Sequence, residues 1–119
     1  MKKLFVVDDN TSNLLVAEEF LSEHYDVYTL SSAAFMFSLL NNVVPDLILL
    51  DLLMPETSGF DVLEQLKGDK RYADIPVIII TSKSDVATET RCYEMGAVDF
   101  IRKPFSKPVL FDRIITHIN

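Results

Sequence analysis

The sequence predicts an α/β fold in which five helices cover both faces of a five-stranded parallel sheet. Short apolar runs alternate with segments of helical period along the whole chain. Two of these runs, "LILL" at 47–50 and "VIII" at 77–80, are apolar without interruption. Strands that helices cover on both faces have this composition, and the alternating order of elements is typical of such folds.

Each element follows from a local pattern. The predicted strands are Lys3–Val7, Asp26–Leu30, Asp46–Leu50, Pro76–Ile80 and Val98–Ile101. The first helix begins after a cap at Thr11, Ser12 or Asn13, and the second spans about Ala33–Asn41. The third follows Ser58 and stops at Gly68, the fourth runs from about Asp85 to Gly96, and the fifth has Pro108 in its first turn.

Glycine content decides between two types of parallel α/β sheet. Glycine occurs only at positions 59, 68 and 96, so no G-x-G-x-x-G turn follows the first strand. This argues against a dinucleotide-binding domain. Short right-handed connections then favour the flavodoxin-like strand order 2-1-3-4-5. No linker or repeat divides the chain, and we expect residues 1–119 to form a single domain.

Composition excludes several classes of function. The net charge of −7 and the absence of a basic run argue against direct nucleic-acid binding. The single cysteine, Cys92, rules out an internal disulfide and fits a reducing compartment. The N-terminus meets acidic residues too early for a secretory signal, and no apolar run is long enough to span a membrane. We therefore expect a cytoplasmic location.

Polar residues follow four of the predicted strands. Asp8 and Asp9 come after the first strand, Asp51 after the third, Thr81 after the fourth and Lys103 after the fifth. In the predicted order these four strands are neighbours, and the carboxyl ends of parallel strands form the edge where ligands bind. The sequence therefore predicts that the five side chains share one site, as opposed to a solvated loop edge with an incidental salt bridge.

Three carboxylates at one site repel one another, by on the order of 3 kcal/mol per pair at about 5 Å. A divalent cation would remove this cost, and oxygen ligands favour Mg²⁺ or Mn²⁺ over Zn²⁺. A metal, a lysine and a hydroxyl are also the groups that a transferring phosphoryl group requires around its oxygens. Asp51 could then be the nucleophile that forms an acyl phosphate.

Four segments resemble the receiver domains of bacterial two-component response regulators. They are "VVDDN" at 6–10, "PDLILLDLLMP" at 45–55, "IPVIIITS" at 75–82 and "GAVDFIRKPF" at 96–105. The resemblance covers essentially the whole chain. It implies that Asp51 accepts a phosphoryl group from a histidine of a sensor kinase or phosphotransfer protein. It also implies that Asp9 binds Mg²⁺ directly, that Asp8 acts largely through water and that Leu53 offers its backbone carbonyl to the metal.

The same resemblance implies how the signal leaves the site. Thr81 would hydrogen-bond the phosphoryl group, Lys103 would pair with its charge, and Phe100 would be an aromatic switch that turns inward. The output face would comprise the fourth helix, the fifth strand and the fifth helix, and would contact an output domain or a downstream protein. A homodimer through the fourth and fifth helices and a cis Lys103–Pro104 bond are further expectations.

Two alternatives remain beside the phosphorylatable receiver. The first is a receiver-like protein-binding module that does not use phosphate. The second is an aspartate-nucleophile phosphohydrolase, which usually carries a second acid where this chain has Leu53. The receiver is not expected to be a conventional enzyme, since it would catalyse only its own phosphorylation and dephosphorylation. The second helix is apolar on nearly every side, which predicts exposed apolar residues among Phe35, Val43 and Val44.

Overall fold

A computed structural model describes residues 1–83 and 85–118. The strands are β1 (Lys3–Val7), β2 (Asp26–Leu30), β3 (Leu47–Asp51), β4 (Val77–Thr81) and β5 (Asp99–Arg102). The helices are α1 (Thr11–Leu21), α2 (Ala33–Leu40), α3 (Gly59–Gly68), α4 (Val86–Glu94) and α5 (Lys107–His117). Every predicted helix and strand is present, and they follow one another in the predicted order.

The sheet is parallel throughout, with the order β2-β1-β3-β4-β5. This confirms the predicted topology. The predicted bounds of β3, β4 and β5 were wrong by one residue at each end, because the hydrogen-bonded ladder continues into the polar residues. Asp51 pairs with Ile80 and Thr81 pairs with Arg102, so polar side chains of the predicted site belong to the strands themselves.

Two apolar layers enclose the sheet. On one face, α1 and α5 pack on Leu49, Ile80 and other alternate strand residues. On the opposite face, α2, α3 and α4 pack on the residues between them, such as Leu50 and Ile79. Because both faces are covered, β3 and β4 are buried along their whole length, as their uninterrupted apolar sequences predict.

Side chains cap the helices at their first turns. Asn10, Ser32, Ser58, Asp85 and Ser106 each accept a backbone N–H of the helix that follows. The predicted cap of α1 at 11–13 was therefore wrong, because Asn10 Oδ1 reaches the Asn13 N–H at 3.2 Å.

Two glycines were predicted to end helices. Gly96 has a φ of +104° after the end of α4, in the left-handed region that favours glycine. Gly68 is the last residue of α3, so this helix stops at Gly68 as predicted. Within the described residues, no helix has the length and apolar character needed to cross a bilayer.

Candidate functional site

Three carboxylates and one lysine meet at the carboxyl edge of the sheet. Oxygens of Asp8, Asp9 and Asp51 lie within 4.8 Å of one another. Lys103 Nζ lies 2.7 Å from Asp8 Oδ2 and 3.3 Å from Asp51 Oδ2. The structure therefore brings together the acidic and basic residues that the sequence predicts at the ends of three different strands.

The parallel register explains why these residues meet. Val7 pairs with Leu50, so the residues that follow them, Asp8 and Asp51, lie side by side at the carboxyl ends of neighbouring strands. Lys103 directly follows β5, and its N–H donates to the Thr81 carbonyl at 3.0 Å. The Lys103–Pro104 peptide bond is cis, as expected.

Asp8 and Asp9 have different environments although they are adjacent. Asp8 is buried, whereas Asp9 is exposed. The Asp8 carboxylate accepts the Asn10 N–H at 2.9 Å and the Asn13 side-chain amide at 3.3 Å, in addition to Lys103. Asn13 is a site residue that the sequence reasoning considered only as a helix cap. The signal that could have identified it is its place in the first turn of a helix that starts from the site.

Asp51 carries a perturbed carboxyl group. Burial and the neighbouring Asp8 carboxylate raise the pKa of Asp51 to about 6, against the lowering effects of Lys103 and of the Leu53 N–H. The Leu53 N–H donates to Asp51 Oδ1 at 3.3 Å. At neutral pH the carboxyl is therefore ionised, as a nucleophile must be, yet it lies in a desolvated position where its charge is costly.

The remaining predicted residues, Thr81, Leu53 and Phe100, differ in how far they are buried. Thr81 is fully buried at the end of β4, and its Oγ1 accepts the Lys83 N–H at 3.2 Å. The Leu53 side chain is about half exposed, at 51%. Phe100 is only 6% exposed and packs in the apolar layer beneath α3 and α4. Its ring therefore already occupies an inward position in this structure.

The donor set of the site fits a hard divalent cation. Two buried carboxylates and one exposed carboxylate supply oxygen atoms only, which is the chemistry that Mg²⁺ and Mn²⁺ prefer. Lys103 balances part of the negative charge but is shared between Asp8 and Asp51. Asp8, Asp9 and Asp51 could therefore hold a metal ion.

Comparison with known proteins identifies the family. A family model described as "Response regulator receiver domain" matches residues 4–115. The chain therefore belongs to the receiver domains of response regulators, the proteins of phosphorylation-based two-component signalling. Among solved structures, chemotaxis protein CheY4 of Vibrio cholerae superposes with a TM-score of 0.93, covering 99% of each chain at 22% identity, which shows the shared fold.

In the relatives of higher sequence identity, the segment that matches this chain is one part of a longer protein. The chain is 36% identical to a probable cyclic di-GMP phosphodiesterase of Vibrio cholerae, over 97% of this chain and 26% of that protein. It is 35% identical to the response regulator PleD of Caulobacter vibrioides, over 94% of this chain and 25% of that protein. The chain thus spans about a quarter of the length of these relatives. A receiver domain from a histidine kinase of Syntrophus aciditrophicus superposes with a TM-score of 0.88 at 32% identity, covering 98% of this chain and 89% of that one.

Proposed function

We propose that this chain is a phosphorylation-dependent switch in which Asp51 accepts a phosphoryl group from a phosphohistidine of a sensor kinase or phosphotransfer protein. An Asp51 carboxylate oxygen attacks phosphorus, the P–N bond breaks, and its electron pair stays on the imidazole nitrogen, which takes up a proton. The observation that carries the proposal is Lys103, held between Asp8 and Asp51 beside three converging carboxylates.

Each residue of the site has a task in this step. Asp9 and Asp51 would bind Mg²⁺ directly together with the Leu53 carbonyl, and Asp8 would act largely through water. The bound metal would neutralise charge on the phosphoryl oxygens. Lys103 would exchange its contact with Asp51 for a phosphoryl oxygen, and the Thr81 hydroxyl would hydrogen-bond another. The chain would catalyse only its own modification and would not act as a conventional enzyme.

The output face would be α4, β5 and α5. Exposed apolar side chains, among them Val86, Tyr93 and Val109, support contact with an output domain, a downstream protein or a second copy of the chain. Asp99 on β5 accepts a hydrogen bond from Arg113 Nη1 at 3.2 Å, and its other carboxylate oxygen lies 2.9 Å from His117 Nε2. These contacts connect β5 to α5. Phosphorylation would act by favouring one of two arrangements of this face, the one in which the Phe100 ring is held inward, as it already is in this structure.

Intact-mass measurement tests the phosphotransfer proposal. The protein is incubated with acetyl phosphate and Mg²⁺, as wild type and as Asp51→Asn, with a chelator control. A single phosphoryl adduct on wild type, absent from the variant and from the chelated sample, would support the proposal. If neither protein forms an adduct, beryllofluoride binding is measured on wild type. Failure of that binding would favour the phosphate-independent binding module.

A further inference from the structure

The Asp8 carboxylate is contacted by an amide on α1 to which the proposed phosphotransfer gives no task. Asn13 Nδ2 donates to Asp8 Oδ2 at 3.3 Å. The Asn13 backbone is itself held in the first turn of α1, where its N–H donates to Asn10 Oδ1 at 3.2 Å. We propose that Asn13 is a positioning residue that orients Asp8 for divalent-cation binding, an inference that rests on the proposed function of the site.

Hydrogen-bond capacity shows why the orientation of Asp8 matters. A carboxylate offers about four acceptor positions. The Asn10 N–H occupies one on Oδ1 at 2.9 Å, while Lys103 and Asn13 occupy two on Oδ2 at 2.7 and 3.3 Å. Little capacity remains, and it lies on Oδ1. Asn13 therefore helps to decide which oxygen of Asp8 is available to a metal ion or to its bound water.

The contribution of Asn13 grows once the site is phosphorylated. Lys103 is shared between Asp8 and Asp51, and a phosphoryl group on Asp51 would draw the ammonium towards itself. Within residues 1–83 and 85–118, Asn13 is then the side chain that still donates to Asp8. Because α1 holds Asn13 in place, its amide can keep Asp8 oriented in both states.

A small cavity beside Asn13 allows its role to be tested with two substitutions that differ in side-chain shape. The cavity measures about 10 Å³, and Asp8, Asn13 and Asp51 are among the residues that line it. A water molecule needs roughly 10–15 Å³ of such space. Asn13→Ala would enlarge the cavity, so that water could replace the lost amide. Asn13→Leu has nearly the same shape as asparagine, keeps the space filled and supplies no donor, so it should have the larger effect.

Isothermal titration calorimetry with MgCl₂ measures the effect directly. The proteins are wild type, Asn13→Leu, Asn13→Ala and the control Ser12→Ala, which alters an exposed side chain in the same helical turn. We expect Asn13→Leu to raise the Mg²⁺ Kd by roughly 10-fold, the lower end of the usual effect of removing a group that orients a metal ligand, because Asp8 would act largely through water. Asn13→Ala should raise it less, and Ser12→Ala should leave it unchanged.

Phosphorylation kinetics separate positioning from structural support. With acetyl phosphate, Asn13→Leu should need more Mg²⁺ for half-maximal adduct formation but approach the wild-type rate at saturating Mg²⁺. A Kd for Asn13→Leu within twofold of that for Ser12→Ala would overturn the inference about Asn13 but would leave the proposed function of the site intact. If wild type neither binds Mg²⁺ nor forms an adduct with any donor, the proposed function fails as well, so the two failures are distinguishable.

Discussion

Among single residues, Asp51 links the chemistry of the site to the stability of the metal-free protein. Its pKa is raised from 3.8 to about 6 by burial and by the Asp8 carboxylate. Between these values the folded state binds more protons than the unfolded state, so stability falls as pH rises. The ionised carboxyl should therefore cost on the order of 1–3 kcal/mol above pH 6 and nothing below pH 3.8.

Asp51→Asn should consequently stabilise the metal-free protein at pH 7.5, and the gain should nearly vanish at pH 4. The free energy of unfolding can be measured with urea and circular dichroism in the presence of a chelator. Glu64→Gln is a matched control, because it removes the same charge from an exposed position on α3. An equal gain at both pH values would contradict the assignment of the cost to the ionised Asp51 carboxyl.

Leu53 is the residue that we expect to tune how long the phosphoryl group persists. Its N–H is bound to Asp51 Oδ1, and its apolar side chain lies half exposed beside the site. An apolar group there should hinder attack by water, so Leu53→Asn should shorten the half-life of phosphorylated Asp51. A barrier lowered by about 1 kcal/mol corresponds to roughly a fivefold shorter half-life.

The half-life of the adduct can be followed by intact mass after the phosphoryl donor is removed. Ile115→Asn provides a control, because Ile115 is also an exposed apolar residue, 65% exposed, but lies on α5. The two variants should differ, with only Leu53→Asn losing the adduct faster than wild type. An unchanged half-life in Leu53→Asn would show that the Leu53 side chain does not control the rate of dephosphorylation.

At the level of elements, α3 depends on the absence of a side chain at Gly59. A Cβ there would lie 2.5 Å from the Asp51 carbonyl oxygen and 2.6 Å from Leu52 Cα, both parts of the backbone. The first turn of α3 therefore packs directly on the chain that carries Asp51. Gly59→Ala should destabilise the protein by roughly 1–3 kcal/mol, as overpacking usually does, and should slow phosphorylation by displacing Asp51.

Gly68, at the other end of the same helix, gives the opposite expectation. Among the described residues, and apart from its chain neighbours and the backbone of α3 itself, no atom lies within 4 Å of the position that its Cβ would take. Gly68→Ala should therefore stabilise the protein by up to about 1 kcal/mol, because alanine favours the helix more than glycine does. Urea unfolding of both variants tests this pair. If Gly59→Ala were as harmless as Gly68→Ala, the close packing of α3 on the backbone of Asp51 and Leu52 would not be what limits residue 59 to glycine.

The sequence could predict which elements form, because apolar periodicity reports burial. It could not predict where β3 and β4 end, since the ladder includes Asp51 and Thr81, which the apolar pattern leaves out. In α2, the pattern correctly indicated excess apolar surface at Phe35, which is 62% exposed. Val43, by contrast, is partly buried against the core. Phe35 lies within α2, whereas Val43 and Val44 lie beyond its end, and of these two Val44 is the exposed one, at 58%.

The site was predictable in its membership but not in its connections. Parallel strands necessarily bring Asp8 and Asp51 to one edge, so strand order alone placed them together. The division of Lys103 between these two carboxylates depends on side-chain geometry. The contact between Asn13 and Asp8 likewise depends on where α1 begins. The cap was predicted at 11–13 and not at Asn10, so Asn13 was considered only as a cap and its contact with Asp8 was not predicted.

At the scale of the whole molecule, Mg²⁺ binding should be measurable as a rise in thermal stability, provided that the general effect of cations on a negatively charged protein is separated from it. The chain has a net charge of −7, so any cation relieves some repulsion between its parts. A bound Mg²⁺ should add a specific contribution, about 1.4 kcal/mol at a tenfold excess over its Kd. For a domain of this size, 1 kcal/mol shifts Tm by roughly 4 °C, so Mg²⁺ should raise Tm by roughly 5–6 °C.

Thermal unfolding with MgCl₂, and with NaCl at matched ionic strength, separates the two contributions. Asp9→Asn should abolish the difference between the salts while the fold persists, because Asp9 is the exposed member of the cluster. Glu19→Gln, an exposed charge change on α1, should preserve that difference. If MgCl₂ and NaCl stabilised wild type equally, the carboxylates would be acting only as part of the general negative charge. A metal site formed by Asp8, Asp9 and Asp51 requires the salts to differ in wild type and to agree in Asp9→Asn.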